Sequence, residues 1–267
     1  VTPLIETLLA TGAVTVAAML LLWLAATVRR DVSIVDLYWG VGFAIVAWSA
    51  AMLNAPPTRR AWVVASLTTV WGLRLSLHLL RRNWGRDEDR RYAAMRRQHG
   101  PRFIWVSLFT VFILQALILW FTSLPLQAAM VSRAADFPTL LDFLGIALWC
   151  IGFFFEAVGD RQLVRFQADP RNRGRVLDRG LWRYTRHPNY FGDACVWWGL
   201  YLLAAAGGGA WTAASPLLMT FLLLRVSGVS LLEQTIVERR PEYAEYQART
   251  NAFFPGPPKR STTKPHG

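Results

Sequence analysis

Seven apolar runs divide this chain, at about 8–28, 34–53, 61–80, 103–124, 140–158, 194–211 and 213–232, and each is long enough to cross a hydrocarbon core of roughly 30 Å as a helix. A segment in hydrocarbon must satisfy its own backbone hydrogen bonds, so the pattern predicts an all-α, polytopic membrane protein of about seven transmembrane helices. Composition agrees: 54% of the residues are hydrophobic, with 13 Trp and 15 Phe, well above the usage of an ordinary soluble domain. The first run exceeds the core of a secretory signal and lacks a clear cleavage site, so it reads as a retained helix.

The formal net charge of +12 invites a nucleic-acid reading, but the placement of the charge gives another. Outside the apolar runs, every basic residue except Arg59, Arg60 and Arg133 falls in segments on one side of the predicted topology. That is the positive-inside pattern, and it predicts an outer N-terminus and a cytoplasmic C-terminus. It accounts for the charge without nucleic acid. Cys150 and Cys195 both lie in apolar runs, away from any CxxC or Cys/His spacing, so neither a disulfide framework nor a metal site is expected. No separate soluble domain or internal repeat is visible. The reading is one helical membrane domain over 1–255, with substrate-side helices at about 8–124 and cofactor-binding helices and loops at about 140–255, followed by a disordered tail over 256–267.

A polar cluster borders the sixth run. Arg183–Asp193 reads Arg-Tyr-Thr-Arg-His-Pro-Asn-Tyr-Phe-Gly-Asp and passes straight into apolar sequence. Proline suits the first turn of a helix, so Pro188 marks a helix start at the membrane boundary. A helix N-terminus with Arg183, Arg186 and His187 beside it suits a phosphate. Asn189, Asp193 and Trp197 follow at i, i+4 and i+8, placing an amide, a carboxylate and an indole on one face. The preceding segment holds the turn-rich Asp169-Pro170-Arg171-Asn172-Arg173-Gly174.

Ionisable residues inside apolar runs are costly and mark candidate sites. They include Asp36, Arg74, Glu156 and Arg225, with Asp160 and Glu233 at the inner boundary. Mutual pairing is the competing explanation, above all for the two arginines. Glu156 and Asp160 are an i, i+4 pair of like charge that needs partners from elsewhere, either arginines or the hydroxyls of a ligand such as a ribose. Gly145, Gly152 and Gly159 recur at seven-residue spacing, which allows a neighbouring helix to approach closely. The chain holds no GxGxxG, P-loop, GxSxG or HExxH, so any dinucleotide is bound without a Rossmann fold.

Arg186–Asp193 resembles the C-terminal motif of bacterial membrane proteins grouped with the steroid 5α-reductases. The resemblance extends to Asp31–Gly42, Trp71-Gly-Leu-Arg-Leu, Arg82-Asn-Trp-Gly, Asp89-Arg-Arg-Tyr, Phe155-Glu-Ala-Val-Gly-Asp, Gly180-Leu-Trp-Arg-Tyr and Val226-Ser-Gly-Val-Ser-Leu-Leu-Glu. It implies a seven-helix reductase, in a bacterial inner membrane, that takes NADPH from the cytoplasm and reduces the carbon–carbon double bond of an enone lipid such as a 3-oxo-Δ4 steroid. By position it implies that Asp160, Arg165, Tyr184, Arg186, His187, Asn189, Tyr190, Asp193 and Glu233 surround the cofactor, with Trp197 near the nicotinamide or substrate. An arginine of the 171–179 loop, Arg173 among them, would take the 2′-phosphate. Asp36 or Tyr38 would be the acid that polarises the substrate carbonyl. The Arg-His-Pro-x-Tyr element is also similar to the isoprenylcysteine carboxyl methyltransferases, which use S-adenosylmethionine; Phe191-Gly192-Asp193 leans toward the reductases.

Overall fold

The computed structural model describes residues 3–134, 136–226 and 242–259, and all regular structure among them is helical. The helices are α1 (Pro3–Arg29), α2 (Ile34–Leu53), α3 (Arg59–Asn83), α4 (Arg90–His99), α5 (Phe103–Ser107), α6 (Leu114–Thr122), α7 (Leu124–Val131), α8 (Leu140–Ala168), α9 (Pro188–Ala206), α10 (Ala214–Phe221) and α11 (Glu242–Arg249). A π-turn, Leu108–Ile113, joins α5 to α6, and another, Leu222–Val226, follows α10. Among the described residues, five helical stretches are long and apolar enough to cross a membrane: Pro3–Arg29, Ile34–Leu53, Arg59–Asn83, Arg90–Thr122 and Leu140–Ala168. Together they fit an integral membrane protein.

The predicted runs lie on these helices with three differences. The fifth continues nearly three turns beyond its expected end, to Ala168. The stretch after the fourth, expected to be loop, forms α7, whose residues Leu124 to Met130 are all buried. The seventh is helical from Ala214 to Val226, and its remainder lies outside the described residues.

The chain divides into two units, Val1–Phe143 with Leu200–Ser215, and Leu144–Gly199 with Pro216–Gly267.

In the first unit, α2 and α3 touch backbone to backbone. A Cβ on Gly40 would stand 2.1 Å from the Gly72 carbonyl oxygen, so only glycine permits the crossing. Ser76 secures it by donating to the Leu37 carbonyl at 2.8 Å and accepting from the Val41 N–H at 3.2 Å. Thr7, Thr11 and Thr15 recur every fourth residue and form the buried stripe of α1. Thr11 donates to Gln127 of α7 at 2.7 Å, and Asn54 donates to Thr7 at 2.8 Å. Each hydroxyl also returns a hydrogen bond to the preceding turn, so no polar group on the stripe is left without an acceptor.

Arg60, expected in an outer loop, is fully buried at the start of α3. Its Nε and Nη2 donate to Asp142 at 2.8 Å each, and Nη2 also reaches the Asp136 carbonyl at 2.7 Å. The arrangement is a bidentate ion pair, the geometry that a planar guanidinium makes best.

Candidate functional site in the second unit

The second unit is built on the packing of α8 against α9, and the glycines of α8 carry that contact as their spacing predicts. A Cβ on Gly152 would lie 2.5 Å from the Gly192 oxygen, and one on Gly159 3.1 Å from the Pro188 ring. Reciprocally, a Cβ on Gly192 would lie 2.5 Å from both the Glu156 nitrogen and the Gly152 oxygen. Gly199 meets Gly145 and Trp149 in the same way further along. With no side chain between them, the two backbones bring their polar residues within direct reach.

At this contact Asn189 Nδ2 donates to Asp160 Oδ1 at 3.1 Å. Asn189 Oδ1 accepts the Tyr190 backbone N–H at 3.1 Å, and His187 supplies the carbonyl that receives Phe191 N–H at 3.0 Å. Helix α9 begins at Pro188, as the motif predicts. Glu156 and Asp160, 3% and 6% exposed, are buried rather than part of a surface network. Part of what the like-charged pair needs is the Asn189 amide, a partner 29 residues away in the chain. Asp193 Oδ1 and Trp197 Nε1 are buried atoms further along α9. The His187 ring stacks on Tyr190 with centroids 5.5 Å apart and planes 6° from parallel.

The Arg183–His187 turn is held by the segment after α11. Arg186 N–H donates to the Asn251 carbonyl at 2.9 Å, and its Nη1 donates to the carbonyls of Gln247 at 3.0 Å and Thr250 at 2.6 Å. The buried Thr185 hydroxyl donates to Phe253 O at 2.8 Å. Arg186, expected beside a phosphate, therefore gives these hydrogen bonds to backbone carbonyls, as guanidinium forks readily do. The Tyr246 hydroxyl donates to the Trp182 carbonyl, and burial pushes that phenol above its ordinary pKa. Phe191 packs on Phe155, Phe253 and Phe254. Residues 256–259, expected to begin a disordered tail, are ordered: Gly256 N–H donates to Tyr184 O at 3.0 Å and Lys259 N–H to Arg249 O at 2.8 Å. The rest of that tail lies outside the described residues.

Other expected site residues are not gathered here. Arg165 and Arg173 are exposed, and Tyr184 is 45% exposed. Arg171 pairs locally with Asp169 within the expected turn, and Arg249 pairs with Asp178. Glu233 lies outside the described residues. Sequence reading missed the clamp by Gln247, Thr250, Asn251 and Phe253, because nothing in its composition distinguishes it from an ordinary turn.

Asp36 and Tyr38 belong to the first unit. Asp36 accepts from the Tyr92 hydroxyl at 3.0 Å and from Arg91 at 3.4 Å. Tyr92 in turn accepts from Gln115 Nε2 at 3.4 Å, and Gln115 Oε1 accepts from the Trp39 indole at 2.7 Å. The Tyr38 hydroxyl is buried and has no hydrogen-bond partner among the described residues. Tyr92 ends the Asp89-Arg-Arg-Tyr motif but was given no role from sequence, and Gln115 was not singled out; an amide inside the apolar run 103–124 was the available signal.

The helices and this buried carboxylate–amide cluster define a polytopic helical protein with a polar site where α8 packs on α9. Residues 22–250 match a family described as protein of unknown function (DUF1295), and the chain belongs to that family. It is also 27% identical over 249 residues to an uncharacterized protein of Schizosaccharomyces pombe, an alignment covering 82% of this chain and 67% of the yeast protein. No solved structure matches.

Proposed function

We propose that this protein is a membrane-embedded, NADPH-dependent reductase of a carbon–carbon double bond in an enone lipid, such as a 3-oxo-Δ4 steroid. The observation that carries the reading is the Asp160–Asn189 hydrogen bond between the buried end of α8 and the first turn of α9. Buried carboxylates and an amide, closed off by glycine contacts, are groups that take ribose hydroxyls as hydrogen-bond partners. Nineteen residues of α9 align their peptide dipoles toward the same turn, which favours a phosphate there. The donor set fits a pyridine dinucleotide. Asp160, Asn189, Asp193 and Glu156 would hold it, with Trp197 along the same face of α9. The expected roles of Tyr184, His187, Tyr190 and Glu233 belong to the same reading, and the 2′-phosphate falls to the exposed arginines, Arg173 among them. NADPH supplies hydride; the protein supplies position and a proton.

For the proton, Tyr38 is the donor this reading favours, since its buried hydroxyl has no acceptor among the described residues. Asp36 accepts hydrogen bonds from Tyr92 and Arg91, which is the behaviour of a carboxylate. It fits a role in holding Tyr92 and the charge around it more than one as the donor itself. A phenol placed on a carbonyl stabilises the negative charge that develops on oxygen during reduction. The same reading has seven spans, a cytoplasmic C-terminus and a cofactor site facing the cytoplasm of a bacterial inner membrane, on the strength of the asymmetric arginines.

The test is thermal stabilisation of the detergent-purified protein by NADPH, NADP, NADH and S-adenosylmethionine in parallel, because a ligand that binds only the folded state raises apparent stability. A shift with NADPH that Asn189→Ala and Asp193→Ala abolish supports the reading. A shift with S-adenosylmethionine alone overturns it in favour of methyl transfer.

A further inference from the structure

A second polar site lies in the first unit, at the end of the helices richest in arginine. A cavity of about 110 Å³ opens there between the end of α1, the start of α5 and α4. Its floor is Ala26, Val32, Phe103 and Ser107, all buried, and its rim carries Arg30, Arg96, Thr27 and Ile104. Polar and apolar surface thus meet in one hollow.

Its two arginines are held differently. Arg96 donates through Nε and Nη2 to Glu88 at 2.9 and 2.6 Å, and lies 4.6 Å over the Phe103 ring. Its charge is matched. Arg30 forms no ion pair among the described residues, while the neighbouring Asp31 carboxylate accepts from the Ser33 N–H at 2.9 Å and also acts electrostatically on Arg96. Arg30 also closes α1 with φ at 55°, the left-handed conformation usually left to glycine at a helix end. An arginine there places a cation on the rim at the cost of local strain.

The surroundings set the depth. Trp23 and Trp105 pack with centroids 5.7 Å apart, and the Trp23 indole donates to the carbonyl of the rim residue Ile104 at 3.1 Å. Trp105 is 62% exposed, and Trp84, just beyond the end of α3, is 75% exposed. Exposed tryptophans of this kind sit at the level of lipid headgroups. Arg29, Arg97 and Arg102 flank the cavity in sequence and add to the positive field.

We propose that this cavity binds the phosphodiester of an anionic membrane phospholipid, with Arg30 as the residue that neutralises it. Arg30, outside any ion pair among the described residues, is the rim cation open to a phosphodiester. The hollow admits the phosphate while the acyl chains remain outside, along the exposed apolar faces of α1 and α5. The ligand chemistry is a phosphate; the interfacial tryptophans and half-apolar lining point to a lipid as its source.

The experiment compares wild type, R30G and R29Q, each full-length in detergent, by thermal shift and by native mass spectrometry. The probes are phosphatidylglycerol, phosphatidylcholine and sodium phosphate. R30G removes the cation and relaxes the left-handed backbone, so its fold is preserved. Wild type and R29Q are expected to be stabilised by phosphatidylglycerol and to retain bound lipid. R30G should need at least fivefold more lipid for the same shift, with phosphatidylcholine weaker and sodium phosphate inert. A wild-type response in R30G overturns the site. An Arg30-dependent shift reproduced by sodium phosphate overturns the lipid as the source.

Discussion

Gly192→Ala is a small substitution with a calculable consequence for the cofactor site. The new methyl carbon would lie 2.5 Å from the Gly152 oxygen and the Glu156 nitrogen, whereas ordinary contact begins at 3.4 Å. Both obstacles are backbone, so no side chain can turn away, and the helices must part by roughly 0.9 Å, the difference between those distances. Asn189 and Asp160, now 3.1 Å apart, then move toward 4 Å, beyond hydrogen-bond range. Overpacking of this kind costs about 1–3 kcal/mol. A shift of about 1 Å in a positioned group costs on the order of a hundredfold in function. The assay is NADPH-dependent thermal stabilisation of detergent-purified protein, with Gly12→Ala as control, where the added carbon meets only the Trp120 indole at 3.3 Å. Gly192→Ala should melt earlier and need at least tenfold more NADPH for a given shift, while Gly12→Ala changes the NADPH response less than twofold. Wild-type stability and NADPH response in Gly192→Ala would refute the argument that backbone contact between α8 and α9 builds the site.

Three further outcomes are expected. Asp142→Ala strands the buried Arg60 guanidinium and should cost about 3–5 kcal/mol in reversible unfolding, while the double variant with Arg60→Met recovers most of that loss; additive effects would sink the coupling. On turnover of an identified enone, Tyr38→Phe should lower kcat by at least tenfold and Tyr92→Phe should lower it less, with unchanged rates in both removing the proposed proton donor. Glu88 opposes its burial through hydrogen bonds from Arg96 and the Val32 N–H, which hold its carboxyl below the ordinary value of 4.5. Its folded-state pKa is depressed, so its contribution to stability is full above that value and is lost as pH falls through the folded pKa; melting profiles on acidification should show that loss in wild type and not in Glu88→Gln.

Local chemistry was legible in the sequence because it depends on neighbours along the chain. Hydropathy marks the long helices since hydrocarbon demands internal hydrogen bonding. Pro188 starts α9 because proline lacks only an N–H that the first turn does not use. The glycine spacing of α8 shows a face bare of side chains, and that face does receive α9. A run of turn-forming residues after α8 gives the short 3₁₀ helix Pro170–Asn172.

Pairing between distant segments was decided only in three dimensions. Asp160 and Asn189 are each readable as polar residues at helix ends, yet their contact depends on how two helices cross. Arg60 reads as an outer-loop charge, and only the fold shows it paired with Asp142, 82 residues on. Likewise Tyr92 acquires a role only where its hydroxyl meets Asp36, and the hydrogen bonds from Arg186 to the carbonyls of Gln247 and Thr250 exist only where that segment packs against it. Hydropathy and helix signals are summed over a few adjacent residues, whereas the partner of a buried charge is chosen by whichever backbone packs against it. The amino-acid sequence therefore determined which segments are helices and which residues carry chemistry, and the tertiary structure decided which of those residues meet.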